Sequence, residues 1–291
     1  MFWQQIVNGL AVGLTYALTA IGYTLIFGIL RLVNFAHGDI YMVGAFISFS
    51  LVAGLGWGIL PAFIGGMIAG ALVGMLMEKL AFKPLRTAIP EASLLATLGL
   101  SILLKEGANL IWGPETHTLP GGASGLLGAS FSLGDVRISA MQIIILVTSL
   151  VLMGALQLFL YRTRIGYGIR AIAQNRDAAY LMGVDVDKSI NYTFAVGAAL
   201  GAAAGIMTGL YYGAFFPTMG FLPGMKAFVA MAIGGLTSIP GAVAGGLLLG
   251  LSETLAGAYI NSGLQDAIAF VLLVTLLLVR PQGLAGRKGE N

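Results

Sequence analysis

The chain has 291 residues, of which 58% are hydrophobic and 9% charged, where an ordinary soluble domain carries about 25% charged residues. That composition excludes a soluble globular protein and identifies an integral membrane protein. A net charge of +3 from 15 basic and 12 acidic residues, with no basic tail, gives no footing for nucleic-acid binding, and the lack of cysteine excludes disulfides and thiolate chemistry.

Uncharged runs at residues 1–30, 40–77, 138–161, 189–225 and 227–252 are long enough to cross a hydrocarbon core as helices. They are continuously apolar, unlike the ~10-residue alternating segments of a transmembrane barrel. The expected class is therefore an all-α polytopic membrane protein, a single domain over 1–291 with eight to nine hydrophobic helices, some of them broken. Segmenting at charges and turn residues places spans near 4–30, 40–56, 58–80, 91–112, 139–161, 189–213, 225–238, 240–259 and 262–280. Nothing positively charged precedes Arg31, so residues 4–30 are expected to be a retained helix rather than a signal segment. The seventh segment is short for a crossing.

The first span ends at RLVNFAHGD, residues 31–39. Arg31 suits the cytoplasmic end of a span, because charge at mid-membrane is costly. Asn34, His37, Gly38 and Asp39 allow two readings: a loop at the boundary, or an unwound segment whose freed backbone groups are satisfied beside a polar cavity. A metal site is not expected, since His117 is the only other histidine. In the third span Gly66, Gly70 and Gly74, and later Gly197, Gly201, Gly205, Gly209 and Gly213, recur at intervals of four. Such spacing lets helix backbones approach closely in lipid, within a compact bundle or, alternatively, at a homodimer seam.

Two longer loops follow. Residues 113–138 are Gly/Ser-rich with two prolines, and form the extracytoplasmic loop on the preferred topology. Residues 162–188 carry five basic and three acidic residues, yet Ile169, Ile172, Ala173, Ala179, Leu181 and Met182 recur at helical spacing, which predicts a short amphipathic helix. Gly183 is placed to end it in a left-handed cap. Within it, Asp177, Ala178 and Ala179 followed by Gly183 resemble the E-A-A-x-x-x-G core with which permease subunits of ABC importers dock onto their ATPases. Arg170 and Arg176 belong to the same expected docking element; the I-x-L-P of the full motif is missing.

Near the C-terminus, GGLTSIPGAVAGG at residues 234–246 loosely repeats the span-break-span pattern of NFAHGD, with Gly235 and Pro240 breaking the helix. Paired broken helices point to a transport path, lined or shaped by Asn34, His37, Gly38, Asp39, Gly235, Pro240 and Glu253. Few acids fall within spans (Glu106, Glu253 and Asp266), with Lys105 adjacent to the first, which argues against a primary proton-driven transporter. With the N-terminus outside and nine crossings, the cytoplasmic side holds 12 of the 15 basic residues, leaving Lys105, Arg137 and Lys226. The positive-inside rule then favours a cytoplasmic C-terminus. No G-x-S-x-G, H-E-x-x-H or paired G-x-G-D motif supports an intramembrane enzyme, and Ser132-Leu133-Gly134-Asp135 is a poor substitute. A phosphate-binding G-x-x-x-x-G-K-[ST] is missing too, so ATP chemistry must lie in another chain. A channel or secondary transporter is the alternative class.

Three blocks carry a family resemblance in collinear order: GLTYALTAIGYTLIFGILRLVNFAHGDIYMVGAF, RTRIGYGIRAIAQNRDAAYLMGVDVDKSINYTFAVGAALGAAAG and VLLVTLLLVRPQGLAGRK. They resemble the shorter permease subunit of branched-chain amino acid ABC importers, whose relatives carry urea and short amides. The resemblance implies a multi-pass subunit of a bacterial or archaeal inner membrane, without an ATPase site or cofactor of its own. It also implies four kinds of partner: a second homologous permease, two cytoplasmic ATPases, an extracytoplasmic substrate-binding protein and membrane lipid. The cargo would be Leu, Ile or Val.

Overall fold

The computed structural model describes residues 2–86, 89–119, 128–133, 136–280 and 282–285. The expectations that rest on Gly134, Asp135, Arg287 and Lys288 lie outside these residues. Helix α1 spans Phe2–Leu30, α2 His37–Ala53 and α3 Ile59–Met77. A π-turn over Glu78–Phe82 joins α3 to the short α4, Lys83–Leu85. Then come α5 (Pro90–Trp112), a two-stranded antiparallel hairpin of β1 (Ser130–Leu133) and β2 (Val136–Ser139), and α6 (Ala140–Arg162). The small hairpin is an addition to the expected all-helical class. Helices α7 (Arg164–Gln174) and α8 (Arg176–Leu181) form the middle loop, followed by α9 (Val186–Tyr212), α10 (Phe221–Gly234), α11 (Ile239–Tyr259) and α12 (Gln265–Val279). Among the described residues seven helical segments are long and apolar enough to cross a membrane, while α2 and α10 are shorter.

Local sequence sets several boundaries. Ser139 and Gln142 form a reciprocal capping box at the start of α6, and Pro90 opens α5, where its missing N–H has no helical partner to lose. Gly213 ends α9 at φ 66°, and Gly183 follows α8 at φ 82°, both in the left-handed region.

The bundle has two ends. At one, Gln4 hydrogen-bonds the Arg137 carbonyl at 2.9 Å, Asn8 accepts from Gln142 at 2.7 Å, and His117 bridges Phe215. At the other lie the ends of α1 and α10, helices α7 and α8, and residues 284–285, whose amides bond the Ile233 and Gly234 carbonyls at 2.8 and 3.0 Å. Gln4 and Ala285 thus fall at opposite ends of the bundle.

Helices α1 and α9 form the buried centre, and α3, α5, α6 and α12 surround it with outward-facing Leu, Ile and Val. Close packing at the centre needs small residues. A Cβ on Gly13 would lie 2.9 Å from the Leu247 Cα, so α1 and α11 approach backbone to backbone. Gly66 lies against the Gly44 carbonyl of α2 and Ile206 of α9, and Gly70 and Gly74 face Ala202 and Ala198 of α9, an intrachain seam. In the absence of a hydrophobic driving force in lipid, this dispersion contact holds the helices together.

Candidate functional site

Helix α2 begins inside the bundle. After Leu30 the chain reverses at Arg31, the one non-glycine among the described residues with positive φ (55°). Residues 31–36 then run back alongside α1, so that His37 sits against Gly22 and Gly201. Gly22 lies eight residues before the end of α1, which at a rise of about 1.5 Å per residue is ~12 Å into the bundle. Helix α10 has the matching design from the opposite end. The chain leaves α9 at Gly213, passes Phe215 on its bridge to His117, and starts α10 only at Phe221.

The N-termini of these two short helices meet. A Cβ on Gly38 would come within 2.6 Å of the Gly220 carbonyl oxygen and 3.1 Å of the Gly224 Cα, so only glycine permits the contact. Polar side chains surround the junction. Asn34 and His37 are 1% and 0% exposed. Neither amide atom of Asn34 and neither ring nitrogen of His37 has a hydrogen-bond partner among the described residues. The Thr19 carbonyl lies beside the His37 ring, outside hydrogen-bonding geometry, and the Tyr23 ring is 4.5 Å away. Asp39 occupies the first turn of α2, where the helix dipole favours a carboxylate, and faces Ser101 and Lys105 of α5. Lys105 itself stands 4.7 Å over the Phe221 ring and forms no ion pair within 4 Å among the described residues.

Unpartnered buried polar atoms cost about 1–3 kcal/mol each, so a cluster of them needs an explanation beyond stability. Chemically, the junction offers the positive ends of two helices, a carboxamide, an imidazole and one carboxylate.

The other residues of the expected path lie elsewhere. Gly235 and Pro240 flank the α10–α11 turn at the far end of the bundle and are not brought to Asn34 and His37. The backbone break that faces NFAHGD is residues 213–220. Its signal was present in Gly213, Pro217, Gly220 and Pro223, within a run lacking charge. Glu253 is held in a buried network instead. The Lys226 ammonium lies 2.5 Å from Glu253 and 2.7 Å from Asp266, and Tyr16 donates to Glu253 at 3.1 Å, tying α10 to α1, α11 and α12. The positive-inside count leaves Lys226 without a role; a lone lysine among intramembrane acids was the available sign.

The middle loop folds as two helices, because the Asn175 side chain caps α8 through the Ala178 N–H at 2.9 Å and so interrupts the amphipathic run. Ile169, Ile172 and Ala179 are buried as the periodicity predicts, whereas Leu181 and Met182 are 83% and 84% exposed. Arg176, Asp177, Ala178 and Gly183 are exposed beside them. Arg170 points back: its Nε donates to the Leu160 carbonyl at 3.1 Å and its guanidinium lies 4.2 Å over the Tyr161 ring. Behind the loop, the Lys188 amide and ammonium hold the Asp185 carboxyl below its ordinary range, and buried Glu78 pairs with Arg86, which also reaches Asp187 at 2.5 Å.

A family model described as "Branched-chain amino acid transport system / permease component" matches residues 5–278. The chain is 39% identical to the high-affinity branched-chain amino acid transport system permease protein LivH of Escherichia coli, over 98% of this chain and 96% of that one. It is 40% identical to the corresponding BraD of Pseudomonas aeruginosa with the same coverage, and 30% identical to a probable LivH of Methanocaldococcus jannaschii over 92% of this chain and 88% of that one. Among solved structures, PsaBC from Streptococcus pneumoniae in complex with Fab matches with a TM-score of 0.52 at 13% identity, covering 97% of this chain and 93% of that chain. That likeness concerns the fold.

Proposed function

The chain belongs to the branched-chain amino acid transport system permease family, and from that premise we propose how its geometry carries cargo. It is the multi-pass membrane subunit of an ATP-binding-cassette importer for branched-chain amino acids, and has no enzymatic role of its own. ATP is bound and hydrolysed by two separate cytoplasmic subunits; a second, homologous permease completes the pathway, and an extracytoplasmic binding protein delivers the amino acid. The N-terminus and the 113–138 loop face outward, and the 162–188 loop and C-terminus face the cytoplasm. The clustering of Arg162, Arg164, Arg170, Arg176 and Lys188 at one end of the bundle supports this orientation.

The observation that carries the transport reading is the meeting of α2 and α10 at Gly38, Gly220 and Gly224 beside unpartnered Asn34 and His37. Half-helix N-termini at mid-membrane suit an anionic group. When α10 separates from α2, the amino acid's carboxylate finds the two helix ends and Asn34, and its ammonium finds Asp39. His37 is a neutral hydrogen-bonding partner in this reading, neither a metal ligand nor an obligatory proton relay. Glu253 holds α10 in its resting seat through Lys226, and Gly235 and Pro240 form the turn on which α10 pivots.

Docking onto the ATPases falls to α8 and its flanks. Arg176, Asp177 and Ala178 present a charged edge, Ala179 seats the helix, Gly183 fixes the exit, and exposed Tyr180, Leu181 and Met182 supply the apolar contact. Arg170 anchors α7 so that a push on α8 is passed to α6 and α9. The test is ATP-driven uptake in proteoliposomes holding all four kinds of subunit. Labelled leucine should accumulate and be displaced by isoleucine and valine but not by urea or acetamide. Displacement by the amides alone would overturn the cargo assignment.

A further inference from the structure

At the coupling-loop end, a cavity of about 450 Å³ lies between α1, α6, α7 and the start of α11. Its polar end is built by Thr24, Arg170, Thr237 and Ser238. Thr24 is 2% exposed and its hydroxyl has no partner among the described residues. The Arg170 guanidinium is fixed by the Leu160 carbonyl and by the Tyr161 and Tyr167 rings, and forms no ion pair with an acid among the described residues. The first turn of α11, 21 residues long, opens onto the same space and adds the positive end of its dipole. No acidic residue lines the cavity among those described.

Sharing Leu160, Tyr161, Ile239 and Pro240 with this cavity, a second groove of about 360 Å³ continues along α1, α6 and α11. Ile21, Met153, Leu156 and Val243 make it apolar. The two parts are ordered by depth. Thr24 lies six residues from the end of α1 and Ile21 nine, so the cationic part is nearer the end of the bundle and the apolar part deeper.

We propose that this cleft binds one anionic phospholipid of the cytoplasmic leaflet, its phosphate on Arg170, Thr24 and Ser238 and an acyl chain in the groove between α6 and α11. A single fixed cation facing an apolar channel matches a molecule with an anionic head and a long apolar tail. Amino acid cargo fits worse, because its ammonium meets no opposing charge here. The leaflet follows from the orientation proposed above, whereas the head-and-tail chemistry stands without it.

Native mass spectrometry of the full chain, titrated with phosphatidylglycerol or phosphatidylethanolamine of identical acyl chains, reads this site. Wild type should retain one phosphatidylglycerol that Arg170→Ala binds roughly tenfold or more weakly, the worth of a charge-assisted hydrogen bond. Arg170→Lys should restore part of the affinity. Val243→Trp, which fills the groove and leaves the cation in place, should lose the lipid while keeping a wild-type circular dichroism spectrum. Equal retention of phosphatidylglycerol by wild type and Arg170→Ala, or equal retention of both lipids by wild type, would overturn the proposal. Displacement of the lipid by millimolar leucine would assign the cleft to the cargo instead. A failure of uptake activity leaves these readings unchanged, so the two proposals fail separately.

Discussion

Lys226 is buried, 5% exposed, and its two acidic partners come from different helices. Removing one partner of a buried pair leaves the other charge uncompensated, a loss of about 3–5 kcal/mol. Lys226→Met should therefore lower the melting temperature in detergent strongly, while Lys226→Met combined with Glu253→Gln should recover much of the loss. A double variant as unstable as the sum of its parts would show that the two side chains do not pair. His37 makes the opposite prediction. With no partner to lose, His37→Gln should fold normally and retain part of the uptake; full loss together with a proton-coupled current would restore the relay reading. Individual roles of this kind were poorly legible in the sequence. Lys226 and Glu253 are 27 residues apart and Tyr16 and Glu253 are 237 apart, so only the fold brings them together.

Elements were more legible than residues. Each of the nine predicted segments overlaps a helix, and seven of these helices are long and apolar enough to cross, since an apolar run must satisfy its backbone groups internally in lipid. Hydropathy could not show where α2 and α10 begin. The stretch from Gly213 to Gly220 has no charge and NFAHGD has only Asp39, too little to mark an aqueous loop, and burial of a non-helical segment is a tertiary decision. The same limit applies to the middle loop, where period alone placed Leu181 and Met182 on the buried stripe. The cap at Asn175 interrupts the run and leaves both side chains exposed. The proposed docking role gives them a direct prediction: Leu181→Asp or Met182→Asp should abolish co-purification of the ATPase subunits, with the permease still inserted and monodisperse. Undiminished co-purification would move the docking contact off α8. Gly183→Ala, at φ 82°, should weaken the same association more mildly, by about 1 kcal/mol of local strain.

The whole molecule is a tightly packed bundle with a polar seam closed at its centre. α1 and α9 form the fixed spine, and α2 and α10 approach the seam from opposite ends. Cytoplasmic ATP hydrolysis would reach it through α7 and α8, which pack on the ends of α6 and α9. The lack of cysteine makes the seam open to a clean test, because a single introduced thiol is the only one in this chain and its labelling is read on the separated subunit. With Asn34→Cys in the assembled importer in proteoliposomes, a hydrophilic thiol reagent should fail to label the resting state and should label it during ATP turnover, with protection by leucine. A thiol that stays unreactive throughout turnover, or reacts equally in every state, would contradict a transport path between α2 and α10.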